Sequence, residues 1–475
     1  MLRTLVSCPT NVRPDGREFN LGLPLLFQLM MFASETLDCD LLVLGSGMAG
    51  LSAAANAAES GAKVVVVEKA ESIGGSAILS GGFVWTVPTI EKLNYVGNGK
   101  KALGAVLIDG YAEAIAWLRR REVHLSAPCD VMYGRGYQID IVGHLKYCAS
   151  TVEHAGGLVV LGTTVERLVT EGGVVVGADT VHPDGAVRVR ARHTLLATGG
   201  FQADPEMRAR HVHPNARNML LRSNPFSVGD GVRLAQMAGG AMSHSGNPGF
   251  YGHLLCDPAT LDHPSKYSLL TQYHSEVSIL LNRAGQRFCD ESLGDHLNAQ
   301  ETLRQDGGAA LLVWDQDIEE KHVMRPFVAG IPPVDKFALA RAQGARAALC
   351  ASLDEVAEHA QVWGFDGMAT RATLDRFNVD VQQAPERLRP ARTIALLPIT
   401  RAPFRAMVVQ SAITFTHGGL SVDPQARVLD SDGRPVPGLL AAGADVGDVF
   451  CRGYAGGLAL ALTFGLRAAR TACGA

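Results

Sequence analysis

Apolar positions along this chain fall into two rhythms, unbroken short runs and helical stripes. The run LLVL at 41–44 has no polar interruption and reads as a strand buried on both faces. Gly45, Gly47 and Gly50 follow it, then an Ala-rich helical stretch, then a second unbroken run, VVVV at 64–67, that closes on Glu68. Strand, glycine turn, helix and strand make a complete βαβ unit. A third apolar strand lies in TLLATGGF, 194–201, and a fourth in PVPGLLAAGADVGDV, 435–449. In SVGDGVRLAQMAGGA, Asp230 and Gly231 precede a helix. The middle of the chain reads differently. SILLNRAGQRF suggests paired strands around an Ala-Gly turn. In SLDEVAEHAQVWG, Leu353, Val356, Ala357 and Ala360 share one helical face. TRATLDRFN continues helically with Thr370 as its N-cap, and PFVAGIPPVD is a loop. Near the end, in YAGGLALALTFG, a glycine pair opens an apolar, helix-like run.

The glycine spacing GxGxxG carries chemistry. Gly45 and Gly47 permit a tight turn and close approach to a pyrophosphate, Gly50 lets helix and strand pack, and Glu68 stands where an acid binds ribose hydroxyls. The next segment, ESIGGSAILSGGFVW, adds a second glycine-serine loop, which suits the long FAD molecule better than NAD. Asp445 is placed to bind ribityl hydroxyls.

These stretches, with LLNRAGQRFCDES, THGGLSVD and the closing YAGG segment, resemble the flavoprotein family of soluble fumarate reductase, 3-ketosteroid dehydrogenase and tricarballylate dehydrogenase. The resemblance spans Asp40 to the C-terminus. It implies an α/β fold: a Rossmann-like FAD-binding domain in two chain segments, 37–245 and 406–475, with an α+β substrate cap, 246–405, inserted between them. Residues 1–36 are read as a tail or a mis-assigned start. Flavin contacts are then expected from Gly45, Gly47, Met48, Ala49, Gly50, Glu68 and Lys69; from Gly74, Gly75, Ser76, Ser80, Gly81 and Gly82; and from Val165, Ala197, Thr198, Gly199 and Asp230. The C-terminal segment adds Gly443, Asp445, Gly456, Gly457 and Leu458, the last three at a helix start that stabilises negative charge on reduced flavin. Membrane-complex members attach FAD through a histidine near the second loop. Gly74-Gly75-Ser76 holds none, so noncovalent FAD is implied.

The resemblance also implies the reaction class: a hydride moves between flavin and a carbon beta to an electron-withdrawing group, and a proton moves at the alpha carbon. Three positions depart from fumarate reductases. Tyr454 stands where they have a substrate arginine, Phe415 where they have a histidine, and Gly294 where they have a proton-relay arginine. Ketosteroid and tricarballylate dehydrogenases carry tyrosine at the first of these. Tyr454 is therefore read as the donor that polarises a substrate carbonyl. His296 or Asp295 is read as the acid/base, with His417 a further candidate and Tyr251 and His253 weaker ones. Arg401, Arg405 and Arg452 are candidates for a substrate carboxylate, and Tyr251 for a substrate contact.

Composition narrows the partners. The 475 residues carry 43 basic and 47 acidic side chains, a net charge of −4, with no basic patch for nucleic acid. Nine cysteines without a CxxC argue against a disulfide framework, a zinc ribbon or an attached c-type haem, and no metal site is expected. The scattered cysteines make a reducing cytoplasm the expected location, and the apolar stretch LGLPLLFQLMMF is too short for a membrane span and a poor signal peptide. The reading is an FAD-dependent oxidoreductase that desaturates a carbonyl compound, with ketones, cyclic and steroid-like ones included, as candidates. It uses an external acceptor such as a quinone, a protein or oxygen. The alternatives are an enoate reductase, a tricarballylate-type dehydrogenase and a non-enzymatic flavin-carrying electron-transfer subunit.

Overall fold

A computed structural model describes residues 36–243, 249–324 and 334–474. The expectations for 1–35 and for most of the PFVAGIPPVD loop lie outside the described residues.

The first strand, Thr36–Leu44, pairs in parallel with Val64–Val67 on one side and Gly185–Leu196 on the other. Leu41, Leu42, Val43 and Leu44, like the four valines of its neighbour, are buried, as runs without polar alternation require. The sheet continues through Leu158–Val160 at one edge and through Pro435–Ala441 and Arg427–Leu429 at the other. A β-meander, Thr164–Glu171 and Val174–His182, joins it at Gly185–Leu196. Chain segments from both ends thus build one sheet. The helix Met48–Glu59 packs on it together with the C-terminal helix Gly457–Cys473, so the two glycine-led helices are neighbours.

A second sheet is centred on Phe404–Thr416, the longest strand, with Phe250–Cys256, Ala309–Trp314 and Ala347–Cys350 antiparallel to it and Leu220–Leu221 parallel. This sheet extends beyond the expected boundary at residue 405, because the long strand begins there and runs to Thr416. Leu220–Leu221 also reaches into it from the N-terminal segment. A small three-stranded sheet, Phe83–Thr86, Gly134–Gln138 and Cys129–Val131, stands beside the nucleotide end.

Two local expectations change. SILLNRAGQRF forms one strand, Ile279–Leu281, whose partner is Ala309–Trp314; the turn is closed by a single bridge from Leu281 to Arg287, with the Gly285 amide donating to the Asn282 carbonyl at 2.9 Å. The helix Gly367–Gln383 starts earlier than expected. Asp366 is its N-cap, accepting from the Ala369 amide at 2.9 Å, while Thr370 lies buried inside the first turn. An Asp is as good a cap as a Thr, and it stands where the helix begins. The helix Leu353–Val362 buries Val356 and Ala360 of the expected face.

Candidate active site

The first turn is as tight as its glycines allow. Gly45 has φ +106°, and a Cβ there would stand 2.2 Å from the Ala197 carbonyl oxygen. The strand ends of 44–47 and 196–199 therefore touch, and both open onto one cavity of about 1520 Å³. Its nucleotide end is lined by Gly45, Gly47, Met48 and Ala49, by Glu68 and Lys69, and by Gly75, Ser76, Ser80 and Gly81 of the second loop. Val165, Ala197, Thr198, Gly199, Asp230, Gly443, Gly457 and Leu458 complete it. The Glu68 carboxylate accepts from the Ser46 amide at 2.8 Å, the Ser46 hydroxyl at 2.7 Å and the Ala70 amide at 2.9 Å, so it is fixed at the cavity wall. Lys69 and Asp230 form an ion pair at 2.5 Å. A glycine-lined cradle with a fixed acid at its ribose end fits FAD.

Five of the expected contacts stand behind the cavity wall. Gly50, Gly74, Gly82, Asp445 and Gly456 do not line the cavity. Gly456, at φ +98°, lies so close to Trp85 that a Cβ would meet its carbonyl oxygen at 1.8 Å. Asp445 is fully buried and accepts from the Thr198 amide at 2.5 Å and hydroxyl at 3.1 Å. Burial pushes its carboxyl up to about 7. These bonds hold Thr198 at the cavity wall.

The other end of the cavity is an aromatic chamber. Tyr454 precedes the C-terminal helix, and its hydroxyl accepts from the Gly457 amide at 2.8 Å. Its ring stacks on Tyr251, with centroids 3.7 Å apart and planes 16° from parallel. Trp85 and Phe415 meet the Tyr454 ring edge-on, and Tyr133 donates its hydroxyl to the Tyr454 carbonyl. Burial pushes the Tyr454 phenol up to about 12, so it is a neutral donor.

Tyr251 and His253 alternate along one strand and so share a face. The register with Phe404–Thr416 slips between Tyr251 and Gly252, a bulge that re-aims the tyrosine. The Tyr251 hydroxyl lies 3.1 Å from His253 Nε2, and His253 Nδ1 meets the Asp295 carboxylate. Burial lowers the His253 pKa and keeps the ring neutral. The hydrogen bonds then assign the tautomer: Nδ1–H donates to Asp295, and Nε2 accepts from Tyr251. Burial works to raise the Asp295 carboxyl, yet its pairing with His253 holds it below the usual carboxylate range.

His296 is buried in the same chamber, its Nε2 3.5 Å from the Tyr133 hydroxyl, and burial lowers it to about 4. His417 is also buried, lowered to about 3 by burial, and packs against Phe415 and Phe450 without lining the cavity.

The three arginines chosen for a carboxylate lie elsewhere. Arg401 is exposed and bound to Asp317 and Glu320. Arg405 sits 3.5 Å from Glu319 and donates to Gln316 at 2.9 Å. Arg452 is exposed outside the cavity. The cations that do line the chamber are Arg222 and Lys336, neither of which any motif marked.

Residues 40–460 match the FAD binding domain family. The chain is 26% identical over 459 residues to the fumarate reductase (cytochrome) of Shewanella frigidimarina, covering 90% of this chain and 75% of that protein. It is 26% identical over 541 residues to the 4-oxocyclohexanecarboxylate 2-dehydrogenase of Sinomonas cyclohexanicum, covering 92% of this chain and 93% of that protein. The NADH:fumarate oxidoreductase of Klebsiella pneumoniae (strain 342) is 25% identical over 451 residues, 89% of this chain, and the chain spans 46% of that protein's length. The solved 3-ketosteroid-delta4-(5alpha)-dehydrogenase of Rhodococcus jostii RHA1 shares the fold, with a TM-score of 0.70 at 21% identity, covering 92% of this chain and 97% of that one. The family match and the relatives define the class, a FAD-dependent oxidoreductase acting on CH–CH bonds. Within it, the chain belongs to the FAD binding domain family. Among the described residues, no helix is long and apolar enough to cross a membrane.

Proposed function

We propose that this flavoprotein desaturates a carbonyl compound next to its carbonyl group, with Tyr454 as the polarising donor and Tyr251 as the proton acceptor. The observation that carries the reading is the pairing of two tyrosines with different partners at one end of the cavity. The Tyr454 hydroxyl already accepts from the Gly457 amide, so its own proton is available to a substrate oxygen. A hydrogen bond there stabilises the enolate character that develops when an alpha proton leaves.

That proton passes to the Tyr251 oxygen as the Tyr251 proton passes to His253 Nε2. The imidazolium so formed is stabilised by the Asp295 carboxylate. His296 and Asp295, the two alternatives expected for the acid/base, take supporting places in this reading: Asp295 orients His253, and His296 buttresses Tyr133. Bound FAD supplies the two-electron, hydride-accepting chemistry. The second glycine loop carries no histidine, which supports noncovalent binding. The aromatic walls of the chamber suit a ring-shaped carbon skeleton, in keeping with the ketone-bearing ring in the name of the Sinomonas relative.

The runner-up is the reverse reaction, reduction of an activated C=C bond by an external donor. The fumarate and urocanate reductases among the relatives favour it. A flavin-carrying electron-transfer subunit is disfavoured, because one cavity joins the cofactor cradle to the chamber. The test is turnover of cyclic ketones with an artificial dye acceptor. Accumulation of the α,β-unsaturated ketone supports the reading, and turnover only of enoates with an artificial donor replaces it with the reverse direction.

A further inference from the structure

Arg222 is a buried charge that neither the nucleotide cradle nor the tyrosine relay uses. It follows the strand Leu220–Leu221, and its backbone amide donates to the Ile413 carbonyl at 2.8 Å, which fixes it against the long strand of the second sheet. The residue is 8% exposed and lines the cavity. Its Nη2 donates to the Tyr267 carbonyl at 3.2 Å and the guanidinium also hydrogen-bonds the Tyr273 side chain, but Nε and Nη1 are buried and have no hydrogen-bond partner among the described residues. A buried guanidinium with two unpartnered nitrogens is costly, and its fork geometry matches a carboxylate. The acid whose charge reaches it, Asp295, is already held by His253.

The surroundings place this charge on the substrate side. Its neighbours are Tyr267 and Tyr273, from the segment that forms the chamber, not the glycine loops of the nucleotide end. Lys336 lines the same wall with Nζ 4.2 Å from the Tyr273 ring centroid and donates to the Ser268 and Thr271 carbonyls at 3.1 Å. Glu276 also lines the cavity, and burial raises its carboxyl toward the neutral form. Two cations therefore face the cavity from the wall around Tyr273.

We propose that Arg222, backed by Lys336, binds a carboxylate substituent of the substrate, so that the substrate is an oxo acid held by its ketone at Tyr454 and by its carboxylate at Arg222. This rests on the carbonyl reading above and deepens it. It reassigns the carboxylate site from Arg401, Arg405 and Arg452, which are engaged elsewhere or lie outside the cavity.

The experiment titrates the FAD-loaded enzyme with three probes and follows the flavin absorbance: 4-oxocyclohexanecarboxylate, its neutral carboxamide, and cyclohexanecarboxylate, which has no ketone. Wild type is expected to bind the oxo acid at least about tenfold more tightly than the amide. Arg222→Gln is expected to abolish that preference while affinity for the amide stays within about twofold, and Arg222→Lys is expected to keep part of it. Retained flavin absorbance and melting temperature establish that each variant is folded; if Arg222→Gln loses FAD, Arg222→Lys carries the comparison. Absence of an Arg222-dependent difference between acid and amide overturns the proposal. The two readings fail separately. Ketone-driven bleaching that is indifferent to the carboxylate keeps the carbonyl reading and sinks this one. Arg222-dependent binding of cyclohexanecarboxylate without any bleaching by ketones does the opposite.

Discussion

Tyr251 and Tyr454 lie face to face, ring centroids 3.7 Å apart, yet their hydroxyls belong to different networks. One accepts from a helix-start amide, Gly457, and the other reaches a neutral histidine, His253. In the proposed reaction these two identical side chains in contact take opposite duties, one to donate to an oxygen and one to pass a proton inward.

Tyr454→Phe removes the donor and leaves the ring. Turnover is expected to fall by about 2–4 kcal/mol of transition-state stabilisation, roughly 30- to 1000-fold. The FAD content and visible spectrum of the purified variant should not change, because the hydroxyl is not part of the nucleotide cradle. Undiminished turnover removes Tyr454 from the chemistry.

The relay makes a distinct prediction for proton exchange. Tyr251→Phe and His253→Ala should each stop exchange of the substrate's alpha proton with deuterated solvent, whereas His296→Ala should slow it only modestly. A lost exchange in His296→Ala with normal exchange in Tyr251→Phe would restore His296 as the base. The pH profile has a sign as well. His253 must be neutral to accept, and burial lowers it from 6.5, so activity should hold through neutral pH and fall on the acid side below that value.

Stability should also be lost in acid, for a separate reason. His144 and His296 are lowered to about 4, and His274 and His417 to about 3, all mainly by burial. Between those values and 6.5 the unfolded chain binds protons that the folded chain does not. Each such histidine therefore contributes a loss of about 1.4 kcal/mol per pH unit as pH falls. Asp445 acts in the opposite direction: its raised carboxyl is protonated in the folded state while still ionised in the unfolded one, which favours folding as pH falls below about 7. Denaturant titrations from pH 7 to 5 should show a net decline, less steep in His144→Asn. A flat profile would mean these rings are not neutral and buried in solution.

Gly456→Ala tests the backbone that aims Tyr454. The added Cβ would lie 1.8 Å from the Trp85 carbonyl oxygen in a backbone conformation with φ +98°. Strain alone costs about 1–3 kcal/mol, and the clash adds to it, so a lowered melting temperature with impaired turnover is expected. A variant with wild-type stability would show that this turn can move.

The nucleotide half of the molecule was legible because its signals are local. Gly45, Glu68 and Thr198 sit at strand ends that the apolar runs themselves announce, and the chemistry needs only a few residues around each. Tyr454 was legible for the same reason, standing beside a glycine pair. The relay was harder: His253 and Asp295 are 42 residues apart and meet only because a strand and a helix start are packed together. Arg222 carried no signal, since its place depends on Leu220–Leu221 crossing into the second sheet. Arg401 and Arg405 carry the right charge for a substrate carboxylate, but charge does not say which carboxylate on the protein itself has already claimed an arginine.

The most direct measurement is anaerobic. Purified enzyme with oxidised flavin is mixed with cyclic ketones, 4-oxocyclohexanecarboxylate among them, and the visible flavin absorbance is followed. The account predicts bleaching as the ketone is desaturated. No bleaching by any ketone, together with reoxidation of dithionite-reduced enzyme by an enone or enoate, would contradict it and make the protein a reductase.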